Sequence, residues 1–309
     1  MKKLTYLLLL AGLCLLAACQ NQQAVENAET SLETLESEIA QLFAGVDGEF
    51  ALAFQMPGDT STRLLVNAKE SFHAASTMKT PVMIEVFKQA ESGGLSLNDS
   101  ILLKNEFYSI VDSSTYSMEV SRDSEGELYT ALGQQWPVRD LVIRMITRSS
   151  NLATNLLIEH ADARKVTQTM RELGAPDIQV LRGVEDMKAF EQGLSNSTTA
   201  FDLMMIYTAL GNNQVASPEA TREMLDILLS QEYNDIIPGK LPEEVQVAHK
   251  TGWITGVRHD SGLVMLPDGR QYALVILSKE VTDMDATVEM MATASRKVYD
   301  FVMNLPAGQ

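Results

Sequence analysis

Ser76-Thr77-Met78-Lys79 is the stretch on which the reading of this chain turns. A helix carries positions i and i+3 on one face, so a helix starting at Ser76 sets the Lys79 ammonium within reach of the Ser76 hydroxyl. A serine hydroxyl is a weak nucleophile until a neighbouring group takes its proton. A lysine can take it only after its surroundings lower its pKa from about 10.4. Taken alone, S-x-x-K is a weak signal, since roughly one match arises by chance in a chain of this length. A helix-capping serine is the plain alternative. Two later triplets, Ser149-Ser150-Asn151 and Lys250-Thr251-Gly252, shift the weight.

The pattern around the first motif predicts the architecture. Leu32, Leu35, Ile39, Leu42 and Phe43 recur at helical spacing, with Ser31 as N-cap and Gly48 beyond the end. Glu49 to Phe54 and Arg63 to Asn67 read as paired strands joined through Pro57-Gly58-Asp59. A helix runs from Ser76 to about Ser92, and the chain stays helical, with long connections, to about residue 230. Within that part an amphipathic helix from Trp136 to Ile146 leads into the second motif. Strands return at Val245 to Thr251, Gly262 to Leu266 and Tyr272 to Ser278, and a helix from about Asp285 to Met303 closes the sequence.

Strands at both ends with helices between and flanking predict an α/β (α+β) fold. It has one antiparallel sheet built from the two chain ends, flanked by helices, with an all-α subdomain inserted. The expected catalytic domain spans 31–309, with its α/β part at about 31–75 and 230–309 and its helical part at about 76–229. That length is ample for a sizeable core, and no internal repeat is visible.

Residues 1–18 read as a leader. Met1-Lys2-Lys3 is basic, Leu4 to Ala18 is an apolar run too short to span a bilayer comfortably, and Leu16-Ala17-Ala18-Cys19 follows. This end resembles a bacterial lipobox, which implies lipidation of Cys19; an ordinary signal peptide is the alternative. Acyl chains contribute about 0.8 kcal/mol per buried methylene, so a lipidated Cys19 would hold the protein to a membrane. Residues 19–30 then form a tether rich in Gln, Asn, Ala and Glu. Gln20 after the cysteine, by resemblance to lipoprotein sorting, points to the outer membrane facing the periplasm or the surface.

Cys14 leaves with the leader and Cys19 is consumed by lipid, so the mature domain has no thiol for a disulfide or for thiolate chemistry. His73, His160, His249 and His259 show no H-x-x-x-H spacing, which argues against a zinc hydrolase. No metal or cofactor is expected. The formal charge of −17 becomes −19 without Lys2 and Lys3, which argues against nucleic acid and against electrostatic binding to an anionic membrane. A monomer is expected.

The three motifs, in order, resemble those of the class A serine β-lactamases and their β-lactamase-like relatives among penicillin-recognising hydrolases. Further likeness lies in Phe72–Lys79, Met145–Leu157, Asn196–Ala200, His249–Gly252 and Ser261–Val264. The resemblance implies Ser76 as nucleophile, with its backbone N–H and that of Trp253 forming the oxyanion hole. It implies Lys79 or a glutamate acting through water as the activating base. Ser149 would relay a proton to the leaving nitrogen, and Asn151 would bind Lys79 and the substrate amide. Lys250 and Thr251 would bind a substrate carboxylate, and Gly252 would let the substrate approach. Arg258 is read as a surface arginine, with a second cation for that carboxylate as the alternative.

Two departures from the family pattern stand out. Ser150 replaces the middle aspartate of S-D-N, which in the family braces the loop. The E-x-x-L-N loop with its water-activating glutamate is absent. Glu185 sits nearest the expected place and is assigned that role; Glu191 in Glu-Gln-Gly-Leu-Ser is the competing choice, and two solvated loop glutamates are the bland one. The stretch Asn105 to Tyr129 is longer than its family counterpart and is expected to rim the pocket. The activity implied is β-lactam hydrolysis through a Ser76 acyl-enzyme. A penicillin-binding DD-peptidase acting on cell-wall peptides and a non-turnover sensor module are the alternatives. The intact Ser–Lys pair argues against the sensor.

Overall fold

The computed structural model describes residues 32–306; the leader, Cys19, the tether and the Ser31 cap lie outside them. The two ends of the chain meet in one antiparallel sheet, as the sequence predicts. Its strands are β1 (Glu49–Met56), β2 (Asp59–Val66), β3 (Gln246–Ile254), β4 (Val257–Met265) and β5 (Gln271–Lys279). Their spatial order is β2-β1-β5-β4-β3, so the first and last strands of the sheet lie side by side, Leu52 opposite Ile276, and β3 forms an edge.

Successive side chains of a strand point to opposite faces, and here both faces are buried. On β1, Phe50, Leu52, Phe54 and Met56 face one way, while Ala51 and Ala53 face the other. On β5, Tyr272, Leu274 and Ile276 alternate with Ala273, Val275 and Leu277. Hence these strands read as unbroken apolar runs. The face with the large side chains is covered by two helices, α1 (32–44) through Leu35, Ile39 and Phe43, and α8 (Met284–Asn304) through Met291, Val298 and Phe301.

The small-residue face packs on the helical part: α2 (Lys79–Glu91), α3 (Val138–Thr147), α4 (Asn151–Ala161), α5 (Ala163–Glu172), α6 (Ala200–Gly211) and α7 (Pro218–Leu229). Leu203, Met204, Ile206, Tyr207 and Leu210 of α6 are all fully buried. A helix apolar on every side belongs between layers, and α6 lies against the sheet. Thr199 starts it by accepting the Asp202 N–H at 3.0 Å.

Local boundaries differ where turn chemistry intervenes. The helix expected at Trp136 begins at Val138, because Gln135–Pro137 is extended and pairs with Ser100–Leu102. Proline disfavours helix in the residue before it, which keeps Trp136 extended. Ser76 does not open an α-helix; it lies in a 3-10 turn, Ala75–Met78, that leads into α2.

Candidate active site

The site grows from the turn that carries Ser76. Phe72–His73 pairs with Ser197–Thr198, and the Ala74 amide donates to the Asn196 carbonyl at 2.8 Å, so the approach to the turn is pinned on both sides. Ala75 then takes φ +45°, a left-handed conformation uncommon for a residue with a Cβ. Strain of this kind costs on the order of 1–3 kcal/mol and persists only where surrounding contacts enforce it. One such contact is the Ala75 N–H, which donates to Nδ1 of His73 at 3.0 Å. Ser76 is half-buried, and among the described residues its hydroxyl has no hydrogen-bond partner.

Lys79 is fully buried at the start of α2. Its Nζ donates to the Ser149 carbonyl at 2.6 Å, to Ser149 Oγ at 3.1 Å and to Asn151 Oδ1 at 3.0 Å, and not to Ser76. An ammonium has three donors, and all three are used. Burial brings the Lys79 pKa down to about 7, against the pull of the Asp123 and Glu185 carboxylates. At neutral pH a large share of this lysine is therefore an uncharged amine able to accept a proton.

Ser149 takes φ +58°, which turns both its carbonyl and its hydroxyl toward Lys79. Behind it α4 begins, with Ser150 as N-cap accepting the Ala153 N–H at 3.2 Å. The sequence left the brace of this triplet in question because Ser150 stands where an aspartate was expected. The structure puts Asp123 there, from 28 residues upstream: its carboxylate accepts Asn151 N at 2.9 and 3.0 Å and Leu152 N at 2.9 Å.

The two candidate glutamates part company. Glu185 is half-buried and accepts Asn151 Nδ2 at 3.3 Å, while Glu191 is exposed at the end of a short helix, Met187–Glu191. Burial raises the Glu185 pKa above the ordinary value, opposed by hydrogen bonds from Asn151 and from the Glu119 backbone. Asn155, one turn along α4 from Asn151, clamps the loop like a backbone mimic: Oδ1 accepts Val184 N at 2.6 Å and Nδ2 donates to Val184 O at 3.0 Å. A Cβ on Gly183 would sit 2.5 Å from that Oδ1, so the clamp requires glycine there. Asp186 fixes the other side, accepting Ser109 Oγ at 2.8 Å and Ile110 N at 2.9 Å. Part of the stretch from Asn105 to Tyr129 thus forms a hairpin, Phe107–Tyr108 with Thr115–Tyr116, docked on the Glu185 loop.

The third triplet lies on the edge strand β3. Lys250 is fully buried, and Nζ donates to the Thr251 carbonyl at 3.0 Å. Burial, then the Lys79 charge, pushes its pKa well below the ordinary lysine range, with Asp260 opposing. Gly252 does something local: a Cβ there would lie 3.2 Å from Ala75 Cβ and from Thr77 Cγ2, so its absence lets β3 press against the Ser76 turn. Trp253 is 68% exposed and its ring lies 5.9 Å from the Arg258 guanidinium, which also pairs with Asp235. His249, just before Lys250, is buried between Asp260 (2.8 Å) and Asn234 (3.0 Å).

The structure therefore gathers Lys79, Ser149, Asn151 and Glu185 into one bonded group, and sets β3 with Lys250 and Gly252 against the turn of Ser76. A hydroxyl with no partner among the described residues, a buried amine whose pKa is brought down to about 7 and a second buried lysine are the parts of a serine acyl-transfer site. Sequence reasoning missed Asp123, Asn155 and Asp186; only Asn155 carried a local signal, a polar residue in the apolar run of α4.

Fold and site together define a serine hydrolase of the penicillin-recognising type, and comparison with known proteins gives the family. The model of the beta-lactamase enzyme family matches residues 34–302, and the chain belongs to that family. A beta-lactamase of Bacteroides uniformis is 24% identical over 282 residues, covering 87% of this chain and 91% of the relative. The extended-spectrum beta-lactamase PER-1 of Pseudomonas aeruginosa is 23% identical, covering 88% and 89%. The solved structure of PBP-A superposes with a TM-score of 0.75 at 26% identity over 89% of this chain and 97% of that one. A variant of PBP-A, solved as an acyl-enzyme complex with penicillin G, gives 0.74 at 26%, covering 89% and 98%.

Proposed function

We propose that this protein is a serine β-lactamase of the class A type, working through a Ser76 acyl-enzyme. The observation that carries the reading is the fully buried Lys79 amine bonded to Ser149 and Asn151, in surroundings that bring its pKa down to about 7. In acylation the uncharged Lys79 accepts the Ser76 proton as Oγ bonds to the lactam carbonyl carbon. The ring C–N bond then breaks, and its nitrogen takes a proton from Ser149, which Lys79 replenishes. Backbone N–H groups of Ser76 and Trp253 receive the oxyanion, each worth about 3 kcal/mol of barrier. Lys250 and Thr251 hold the substrate carboxylate. In deacylation Glu185 takes a proton from water as the hydroxide attacks the ester carbonyl carbon. The C–O bond to Ser76 then breaks, Ser76 Oγ takes up a proton, and Glu185 gives one up, which restores the enzyme.

Likeness to PBP-A supports a second reading, a penicillin-binding hydrolase of D-Ala-D-Ala peptides that β-lactams trap. The two share acylation and separate at release. A lipid anchor at Cys19, a place in the cell envelope facing the periplasm or surface, and a monomeric state belong to the same proposal.

The test is a progress curve with a chromogenic cephalosporin, with Ser76→Ala as control. Sustained turnover lost in the variant supports the β-lactamase. A burst of about one equivalent favours the penicillin-binding reading, and no reaction in either protein refutes the lactamase reading.

A further inference from the structure

We propose that Asp123 is a positioning residue: from a separate loop it supplies the carboxylate that the Ser149-Ser150-Asn151 motif lacks. The role rests on the reading of Lys79 and Ser149 as the proton-transfer pair.

The first backbone N–H groups of a helix have no partner within the helix and need one from outside. At the start of α4, the Ser150 hydroxyl takes Ala153 N. Asp123 takes the other two, with Oδ1 on Asn151 N and Oδ2 on both Asn151 N and Leu152 N. Its carboxylate is itself held by the Tyr129 hydroxyl at 2.9 Å, and its Oδ1 accepts Glu125 N at 3.2 Å. The next residue grips the motif from the other side. Ser124 Oγ donates to the Arg148 carbonyl at 2.6 Å and to the Ser149 carbonyl at 3.1 Å. Two consecutive loop residues thus bind the donors that follow Ser149 and the acceptors at and before it.

That grip falls on a turn held in a left-handed conformation, φ +58° at Ser149, whose carbonyl and hydroxyl both bond Lys79. A negative charge at a helix N-terminus is favourable in its own right. It also lies within Coulombic reach of Lys79, as does Glu185. Loosening Asp123 therefore releases the Ser149 turn and removes a charge from the lysine's surroundings together. Ser150 is fully buried and spends its hydroxyl inside its own helix, so the missing carboxylate has to come from elsewhere in the chain.

The discriminating experiment is a four-protein cycle: wild type, Asp123→Asn, Ser150→Asp and the double variant. Two measurements are made on each. One is amide hydrogen exchange over residues 149–154 without substrate, and the other is the rate of Ser76 acylation by a β-lactam with its KM. Asp123→Asn should speed exchange in that segment about ten-fold and slow acylation with little change in KM. Ser150→Asp in that background should restore both in part, because an N-cap aspartate reaches Leu152 N and Ala153 N. The same Ser150→Asp change beside an intact Asp123 should slow acylation, since it sets two carboxylates at one helix end.

Unchanged exchange in Asp123→Asn overturns the proposal, as does an equal effect of Ser150→Asp in both backgrounds. If Asp123→Asn cannot be recovered folded, the double variant must be, and failure of both also overturns it. Absence of acylation in the wild type would refute the β-lactamase reading alone, leaving the exchange data to decide Asp123.

Discussion

His73 Nδ1 accepts the amide of Ala75 at 3.0 Å, and that bond holds the left-handed residue immediately before Ser76. The imidazole accepts only while Nδ1 is unprotonated. Its surroundings keep it so: burial first, and the nearby Arg182 charge second, lower the His73 pKa below its ordinary 6.5. A lowered histidine pKa gives a stabilising contribution that is complete above pH 6.5 and shrinks as pH falls toward the folded value. We expect His73→Ala to slow acylation about ten-fold at pH 8. His73→Asn, which keeps an acceptor nearby, should recover much of the loss. Single-turnover rates of the two variants check this, and equal rates would rule it out.

The acylation rate should rise with pH to a half-maximum near 7, where Lys79 loses its proton. Below that pH the ammonium has no lone pair for the Ser76 proton. Lys79→Arg keeps the charge and lacks a usable base, so acylation should fall about a thousand-fold across the range. Stopped-flow rates from pH 5 to 9 would show it; a flat wild-type profile would exclude Lys79 as the base.

Glu185→Gln should leave acylation largely intact and stop release, so the acyl-enzyme accumulates and persists in the mass spectrum. Steady-state turnover should fall at least about a hundred-fold. Glu191→Gln, at an exposed helix end, should behave as wild type. Burial raises the Glu185 pKa, and the base must be ionised, so deacylation should weaken as pH falls through that raised value. The reverse pattern in the two variants would move the assignment to Glu191.

Gly252→Ala places a methyl 3.2 Å from Ala75 Cβ and Thr77 Cγ2 and 3.3 Å from His259 Cβ. None of these is the far end of a flexible chain, so β3 or the Ser76 turn must shift. The expected cost is about 1–2 kcal/mol of stability, with acylation slowed more than that loss explains. Urea midpoints alongside acylation rates separate the two effects; an unaltered rate would show that the turn tolerates the displacement.

The sheet was legible because its strands announce themselves locally, with alternation or unbroken apolar runs bounded by turns such as Pro57-Gly58-Asp59 and Pro267-Asp268-Gly269. The helix ahead of the second motif was legible too, save that Pro137 shifts its start. The site was legible where a few adjacent residues carry it, as at Ser76 to Lys79. It was not legible where support comes from afar. Asp123 meets Asn151 across 28 residues and Asp186 meets Ser109 across 77, and no periodicity marks either pairing. The Ser76 hydroxyl also lacks the expected Lys79 contact, because Nζ of Lys79 is drawn to the Ser149 carbonyl, Ser149 Oγ and Asn151 Oδ1, partners 70 and 72 positions away that no local pattern announces.

The pressing of β3 onto the Ser76 turn has a consequence in time. Residues 75–78 are synthesised early and residues 246–254 late, so the cleft closes only by joining segments some 170 positions apart. Contacts of such separation form slowly, because the loop entropy comes due before any contact repays it. A nascent chain therefore carries Ser76 without the Lys250 strand against it. The cleft is complete only once almost the whole chain has folded.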